Sequence, residues 1–273
     1  MTLSQQVPEF FSRLWPKALL EIEFTETKAT CSNCRRAGPL YRGKYPYRSD
    51  LKCCTFHPII PNYMVGSLLV ENKTGASIIR QRILLRDHVL PLGVIPPVRY
   101  QLKFNNRAKS DFGQKEELLC PFFDKTQYTC GIWLHRGSVC MSYYCISDYG
   151  PAGIRFWASL RRWMSYCEGV LAEECLVQGG WSPREISSMM SWINLRRNQD
   201  LPHKEKFIPT EQWKKIWDHY AAHEENFFIK SFHFVCSLDR RKFLNIVGET
   251  GKCLEQEVHT LALEARQQKN GFK

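Results

Sequence analysis

The sequence predicts an α+β or mainly α fold, with an irregular, cysteine-rich, metal-binding N-terminal half followed by a helical C-terminal half. Eight of the twelve cysteines fall between residues 31 and 145, where short apolar runs are broken by Pro and Gly turns. After Gly150 the apolar residues recur every three or four positions, which is the period of an amphipathic helix. We expect residues 1–150 and 151–273 to pack together as one compact unit.

One helix is predicted within the cysteine-rich half. Residues 74–87 read TGASIIRQRILLRD, and their apolar side chains form a stripe: Ile78, Ile79, Ile83, Leu84 and Leu85. The other face carries Arg80, Gln81 and Arg82. The longest uncharged apolar run, residues 58–70, is too short to span a bilayer, so no membrane span is expected.

The helical half begins with a long amphipathic segment. Residues 151–177 repeat apolar side chains at helical spacing, and Gly179-Gly180 ends the pattern: Ile154, Trp157, Leu160, Met164, Cys167 and Leu171. Ser182 to Glu185 reads as a capping box with Pro183 at the first helical position. Thr210 is predicted to cap a helix that continues through Trp213, Ile216, Trp217 and Tyr220, and residues 252–268 form a further helix.

The spacing of the eight clustered cysteines predicts a metal site. They read Cys31-x-x-Cys34, Cys53-Cys54 and Cys120-x9-Cys130-x9-Cys140-x4-Cys145. Soft thiolates bind Zn²⁺ and iron–sulfur clusters strongly, and a CxxC turn brings two sulfurs close enough to share one ion. A thioredoxin-like redox pair at Cys31 and Cys34 is disfavoured, because Ala37-Gly38-Pro39 breaks the helix such a pair requires.

One histidine, one aspartate and four further cysteines are the other candidates for this site. His57 follows Cys54 at the spacing of a CxxH pair, so it is either the histidine of a Cys₃His zinc site or a residue with an ordinary loop hydrogen bond. Asp124 is expected to cap a turn. The four remaining cysteines are predicted to be small buried hydrophobic residues: Cys167, Cys175, Cys236 and Cys253.

The N-terminal sequence and the charge distribution indicate where the protein is located and what kind of partner it binds. The N-terminus lacks the basic start and apolar run of a signal peptide, so we expect a cytoplasmic protein with reduced thiols. Of the net charge of +11, +8 falls in residues 1–150, which hold 20 Lys/Arg against 12 Asp/Glu. Such a surface suits an anionic partner, RNA or an acidic protein, unless it is only solvated.

The motifs of the cysteine-rich half resemble those of the YkgJ-type cysteine-cluster family, described as a zinc- or iron-chelating domain. The resemblance covers residues 31–145 and is most specific in Cys120-Pro-Phe-Phe-Asp, Cys130-Gly-Ile-Trp and Arg136-x-x-x-Cys140. It implies that the chelating cysteines are Cys31, Cys34, Cys53, Cys54, Cys120, Cys130 and Cys140, with Cys145 a further ligand. Two features depart from the family pattern: eighteen residues separate Cys34 from Cys53, and Gly137 replaces the usual proline.

Two functions follow as hypotheses. The first is an iron–sulfur protein, with a [4Fe–4S] cluster as the cofactor and an enzymatic role left open. The second is a structural zinc module whose basic surface binds RNA or a protein. A contact surface for the second was predicted from basic residues interleaved with Tyr100 and Phe104: Arg99, Lys103, Arg107 and Lys109.

Overall fold

The computed structural model describes residues 2–22, 34–144, 147, 149–193 and 206–271, and the fold is mainly α. A 3₁₀ turn, Leu3–Gln6, precedes two one-turn helices, α1 (Phe11–Leu14) and α2 (Lys17–Leu20). The elements up to residue 150 are then β1 (Ile60–Pro61), α3 (Asn62–Glu71), α4 (Thr74–Leu84), β2 (Val89–Leu90), β3 (Gly93–Val94), α5 (Val98–Asn105), β4 (Phe123–Asp124), β5 (Thr129–Cys130) and α6 (Ser138–Met141).

Five helices are described beyond residue 149. They are α7 (Gly150–Gln178), α8 (Pro183–Met190), α9 (Thr210–Trp217), α10 (Glu224–Ser237) and α11 (Arg240–Gly271). Helix α11 consists of two segments, because Gly248 has the left-handed φ of 61° and interrupts the helical backbone. The strands are only two residues long. They form an antiparallel sheet in the order β1-β3-β2 and a separate β4-β5 hairpin.

Helix α7 runs through the hydrophobic core. Phe156, Leu160 and Trp163 are fully buried, and the core joins side chains from before and after residue 150. Helix α7 packs along α11, while α10 packs along α3. The α3–α10 crossing requires Gly66, because a Cβ at this position would lie 2.0 Å from the backbone oxygen of Phe228.

The long helix and the capping box are confirmed. Helix α7 covers the predicted 151–177, although Ile154 is 54% exposed instead of facing the core. Ser182 Oγ accepts from the Glu185 N–H, and the Glu185 carboxylate accepts from the Ser182 N–H at 2.8 Å. The predicted cap at Thr210 is wrong by one residue, because Pro209 holds the N-cap position and Thr210 begins the helix.

The predicted helix at residues 74–87 exists as α4, but its buried face differs from the prediction. Its inward-facing residues are Gly75, Ala76, Ile79 and Arg82. Leu84 and Leu85 are 78% and 41% exposed. The small residues let α4 approach its neighbours closely. The buried face is therefore determined by close packing and by the hydrogen bonds of Arg82. Neither can be deduced from the positions of the apolar residues in the sequence.

Helix α3 was not predicted. All residues from Asn62 to Leu69 are buried, so this helix is apolar on every side and lacks the amphipathic period that reveals surface helices. Asn62 is held by its side-chain N–H groups, which donate to the carbonyls of Pro91 and Ala172. Over the described ranges, which lack residues 23–33 and 194–205, no helix has the length and apolarity needed to cross a membrane.

Candidate metal centre

Three separate segments bring cysteines to the same place. The first is the turn that carries Cys53 and Cys54. The Cys54 N–H donates to the Leu51 carbonyl at 3.1 Å, and the Cys54 carbonyl accepts from the Cys120 N–H at 2.7 Å. This bond ties the first segment directly to the second, although 65 residues lie between the two cysteines in the sequence.

The second segment is the β4–β5 hairpin. Phe123 pairs with Cys130, and the Phe123 N–H donates to the Cys120 carbonyl at 3.1 Å, so Cys120 and Cys130 lie at the open end of the hairpin. Asp124 fixes the turn at the other end. Its Oδ1 accepts from the backbone N–H groups of Thr126 and Gln127, as predicted for a turn-capping residue.

The third segment is α6, which carries Cys140. Gly137 precedes this helix and lies against β1, since a Cβ there would be 2.6 Å from the Ile59 carbonyl oxygen. The Ser138 N–H donates to Glu168 Oε1 on α7 at 2.8 Å. Gly137 therefore occupies a point where no side chain fits.

These segments surround one cavity of about 420 Å³. Five cysteines line it: Cys53, Cys54, Cys120, Cys130 and Cys140. Among the residues that the structure describes, no Asp, Glu or His takes part in the lining. Four aromatic rings and four cationic side chains complete it, together with apolar residues: Phe56, Phe104, Phe112, Tyr143, Arg107, Lys109, Arg136 and Arg161.

The remaining predicted ligands have a different status. Cys34 does not line the cavity, although it lies near enough to Cys53 for their charges to interact. Cys31 and Cys145 lie outside the described residues. None of the ten described cysteines forms a disulfide. Among those outside the cavity, Cys167 and Cys175 are buried as predicted, whereas the prediction is wrong for Cys253, which is exposed, and for Cys236, which is half-buried.

Burial makes the cavity thiols reluctant to ionise in the absence of a cation. Burial is the main cause that raises the pKa of Cys120 to about 12 and that of Cys140 well above the usual 9.0, and neighbouring cysteines contribute to both shifts. Arg136 partly offsets this by lowering the pKa of Cys140. A bound metal cation would supply the missing positive charge, with the thiol protons released on binding.

His57 is not available as a ligand. Arg82 Nη1 can only donate, so at 2.8 Å the Nε2 atom of His57 must accept from it. Nδ1 therefore carries the proton and donates to the Pro58 carbonyl at 2.9 Å. Burial and the charge of Arg82 lower the pKa of His57 to about 3. The structure supports the loop hydrogen bond and not the Cys₃His site.

The donor set matches a soft metal, although the thiols do not yet form a coordination sphere. Within the described part of the chain, no three His, Cys, Asp or Glu side chains stand close enough to hold one ion. Two lining arginines nevertheless have buried N–H groups without an acceptor among the described residues, Arg136 Nη2 and Arg107 Nε. Anionic sulfur at the centre of the cavity is the kind of acceptor that these donors require.

The residues predicted as a contact surface for RNA or a protein are in part exposed: Arg99, Lys103 and Lys109 are exposed, whereas Tyr100, Phe104 and Arg107 are half-buried. They lie on and just after α5, where the Tyr100 hydroxyl donates to the Thr55 carbonyl and accepts from the His57 N–H. The Arg107 guanidinium lies 3.6 Å above the Phe104 ring, and Lys103 pairs with Glu117 at 2.8 Å. Tyr100 and Phe104 thus belong to the packed side of α5, and contact of the exposed basic residues with RNA or a protein stays a prediction.

Sequence reasoning missed several charged residues of this site. Arg136 could have been predicted, because it is the first residue of the Arg-x-x-x-Cys motif. Arg161 and Glu168 are on α7, and nothing in the sequence connects them with cysteines that precede them by more than twenty residues. The six tryptophans that follow residue 150 are all buried, and none of them lines the cysteine cavity: Trp157, Trp163, Trp181, Trp192, Trp213 and Trp217.

Glu168 gives the site a pH-dependent neighbour. It lines a second cavity of about 340 Å³ that shares Phe56, Pro58 and Val139 with the first, and burial raises its pKa from 4.5 to about 7. Between these two pH values the unfolded chain loses this proton while the folded protein keeps it. The free energy of unfolding therefore falls as the pH rises, and the decrease is complete above about pH 7.

We therefore expect Glu168→Gln to be more stable than the wild type above pH 7, by about 1–3 kcal/mol, and equal to it near pH 4.5. Urea unfolding at several pH values measures this difference. A difference between the two proteins that stays constant with pH would show that Glu168 ionises normally.

No protein-family model, curated protein or solved structure matches this chain. The resemblance to the YkgJ-type family therefore stays a prediction carried by the cysteine motifs.

Proposed function

We propose that this protein binds a metal centre through clustered cysteine thiolates, with an iron–sulfur cluster as the preferred centre. The observation that carries the proposal is the convergence of five predicted ligands, from three separate chain segments, on one cavity. The proposed ligands are Cys53, Cys54, Cys120, Cys130 and Cys140, and Cys31, Cys34 and Cys145 are candidates for the same or a second centre.

The surroundings of these cysteines argue against the interpretation that they are only hydrophobic packing residues. All five are partly accessible from the cavity, in contrast to the core residues Cys167 and Cys175. Buried thiols that pack as hydrophobic residues do not need arginines beside them. Here four cations line the same cavity, and such charges stabilise anionic sulfur.

Three features favour an iron–sulfur cluster over zinc. Every candidate donor in the cavity is sulfur, the space of about 420 Å³ exceeds what a single ion needs, and Arg136 and Arg107 offer N–H groups for hydrogen bonds to sulfur. A bound cluster would supply one-electron redox chemistry. In the alternative, a closed zinc site would contribute folding energy by joining the three segments.

Metal analysis of protein expressed anaerobically in iron-supplemented medium tests this proposal. We expect near-stoichiometric iron and acid-labile sulfide per chain and a broad visible band near ~400 nm. One or two zinc ions in a colourless protein would select the structural alternative. Protein that contains neither metal, even after anaerobic reconstitution, would refute both.

A further inference from the structure

The cysteine cavity carries more positive charge than a thiolate metal centre can balance. Four cationic side chains line it, Arg107, Lys109, Arg136 and Arg161, and none of its lining residues in the described part of the chain is acidic. A four-thiolate Zn²⁺ or oxidised [4Fe–4S] centre has a net charge of about −2. Roughly two positive charges therefore remain unmatched, at a place where the aromatic walls reduce the solvent screening.

The two outer cations are available to a ligand. Lys109 and Arg161 are exposed, and neither forms an ion pair with an acidic residue in the described ranges. Arg107 and Arg136, by contrast, are stacked on Phe104 and Trp133 at 3.6 and 3.5 Å and are fixed in place. Lys109 and Arg161 thus line the cavity from exposed positions, whereas Arg107 and Arg136 line it from half-buried ones.

One wall of the cavity is a continuous row of aromatic rings. Phe56 contacts Phe104 at 5.3 Å between ring centroids, Phe104 contacts Phe112 at 6.2 Å, and Phe112 contacts Tyr143 at 5.7 Å. All four rings line the cavity, which has the size of a small-molecule site. A metal centre held by the thiols would leave this wall free to contact a flat apolar group.

We infer that the cavity binds a small organic oxyanion, a carboxylate or a phosphate ester, whose flat apolar body lies against the aromatic wall. Arg161 and Lys109 bind the oxyanion, and the planar guanidinium of Arg161 matches its oxygen atoms with two parallel hydrogen bonds. This inference rests on the proposed metal site, since the thiols are expected to be occupied by the metal and the ligand to fill the space beside it.

Binding of simple probes to the anaerobically purified protein tests this inference. Benzoate and phenyl phosphate are the anionic probes, and benzyl alcohol and benzylamine are neutral and cationic molecules of similar shape. We expect at least one anionic probe to bind at least about tenfold more tightly than benzyl alcohol by calorimetric titration, and more weakly as salt is added. The tighter anionic probe identifies the oxyanion class.

Arg161→Gln is expected to weaken binding of the anionic probe about tenfold and to leave benzyl alcohol binding unchanged. Arg155→Gln is the matched control, because Arg155 is exposed on the same helix but lies outside this cavity and pairs with Glu264 at 3.5 Å. Equal binding of charged and neutral probes, or equal effects of the two substitutions, would overturn the inference.

Metal content measured on the same samples separates the two proposals. Metal-loaded protein that ignores both anionic probes contradicts the oxyanion site alone. Metal-free protein that binds them with the expected selectivity contradicts the metal centre and leaves the oxyanion site in place.

Discussion

Serine at both Cys120 and Cys130 is expected to remove most of the bound metal and to lower the thermal stability of the protein. Both side chains line the cavity from one hairpin, and the Cys120 backbone is bonded to the Cys54 carbonyl. Serine keeps the size and hydrogen-bonding capacity of the side chain but is a poor ligand for soft metals. Metal per chain and the melting temperature, measured on anaerobically purified protein, give the two readouts.

The matched control is Cys236→Ser/Cys253→Ser. It also removes two cysteines, but these lie on α10 and α11 outside the cavity, so full metal content is expected. The wild type treated with a chelator should match the melting temperature of the Cys120→Ser/Cys130→Ser protein, because loss of the metal is the proposed cause. Unchanged metal content in the cavity variant would show that the hairpin cysteines are not ligands.

The parts of the fold that the sequence revealed are those governed by local rules. The capping box at Ser182 and the period of α7 depend on residues three or four positions apart, and both were predicted. Helix α3 and the inward face of α4 depend on what packs against them, and neither was predicted. Gly66 illustrates this, because a glycine is needed there for the close α3–α10 crossing, which its sequence neighbours do not reveal.

The candidate site shows the same division. Cysteine chemistry is specific enough that five predicted ligands meet at one cavity, even though nothing in the sequence gives their distances. The charges around the cavity come from distant segments. Arg161 reaches it from α7, and Arg82 lies behind it on a face of α4 that the apolar pattern assigns to the outside. Prediction from sequence thus selected the cysteines that line the cavity and missed most of the charged residues that surround them.

Arg82 lies outside the cavity lining but stabilises the segment next to it, and its loss is expected to lower the stability of the protein strongly. Its buried guanidinium donates to His57 Nε2 at 2.8 Å and to the Asp87 and Ile95 carbonyls at 2.9 and 3.0 Å, and it forms an ion pair with Asp87 at 3.4 Å. These bonds connect α4 to the loop that carries Cys53 and Cys54. Burial lowers the pKa of Arg82, which shows that the surroundings tolerate this charge only because its partners stabilise it.

Arg82→Met should therefore lower the free energy of unfolding by about 3–5 kcal/mol, because methionine leaves these acceptors and the Asp87 carboxylate without their donor. Arg80→Met is the control on the same helix. Arg80 is exposed and pairs with Glu225 at 3.1 Å, so its loss should cost less than about 1 kcal/mol. Chemical denaturation of both variants measures the difference. Similar costs for the two would mean that the buried network contributes no more than a surface ion pair, and that the Cys53–Cys54 loop is held in place by the hairpin and a bound metal instead.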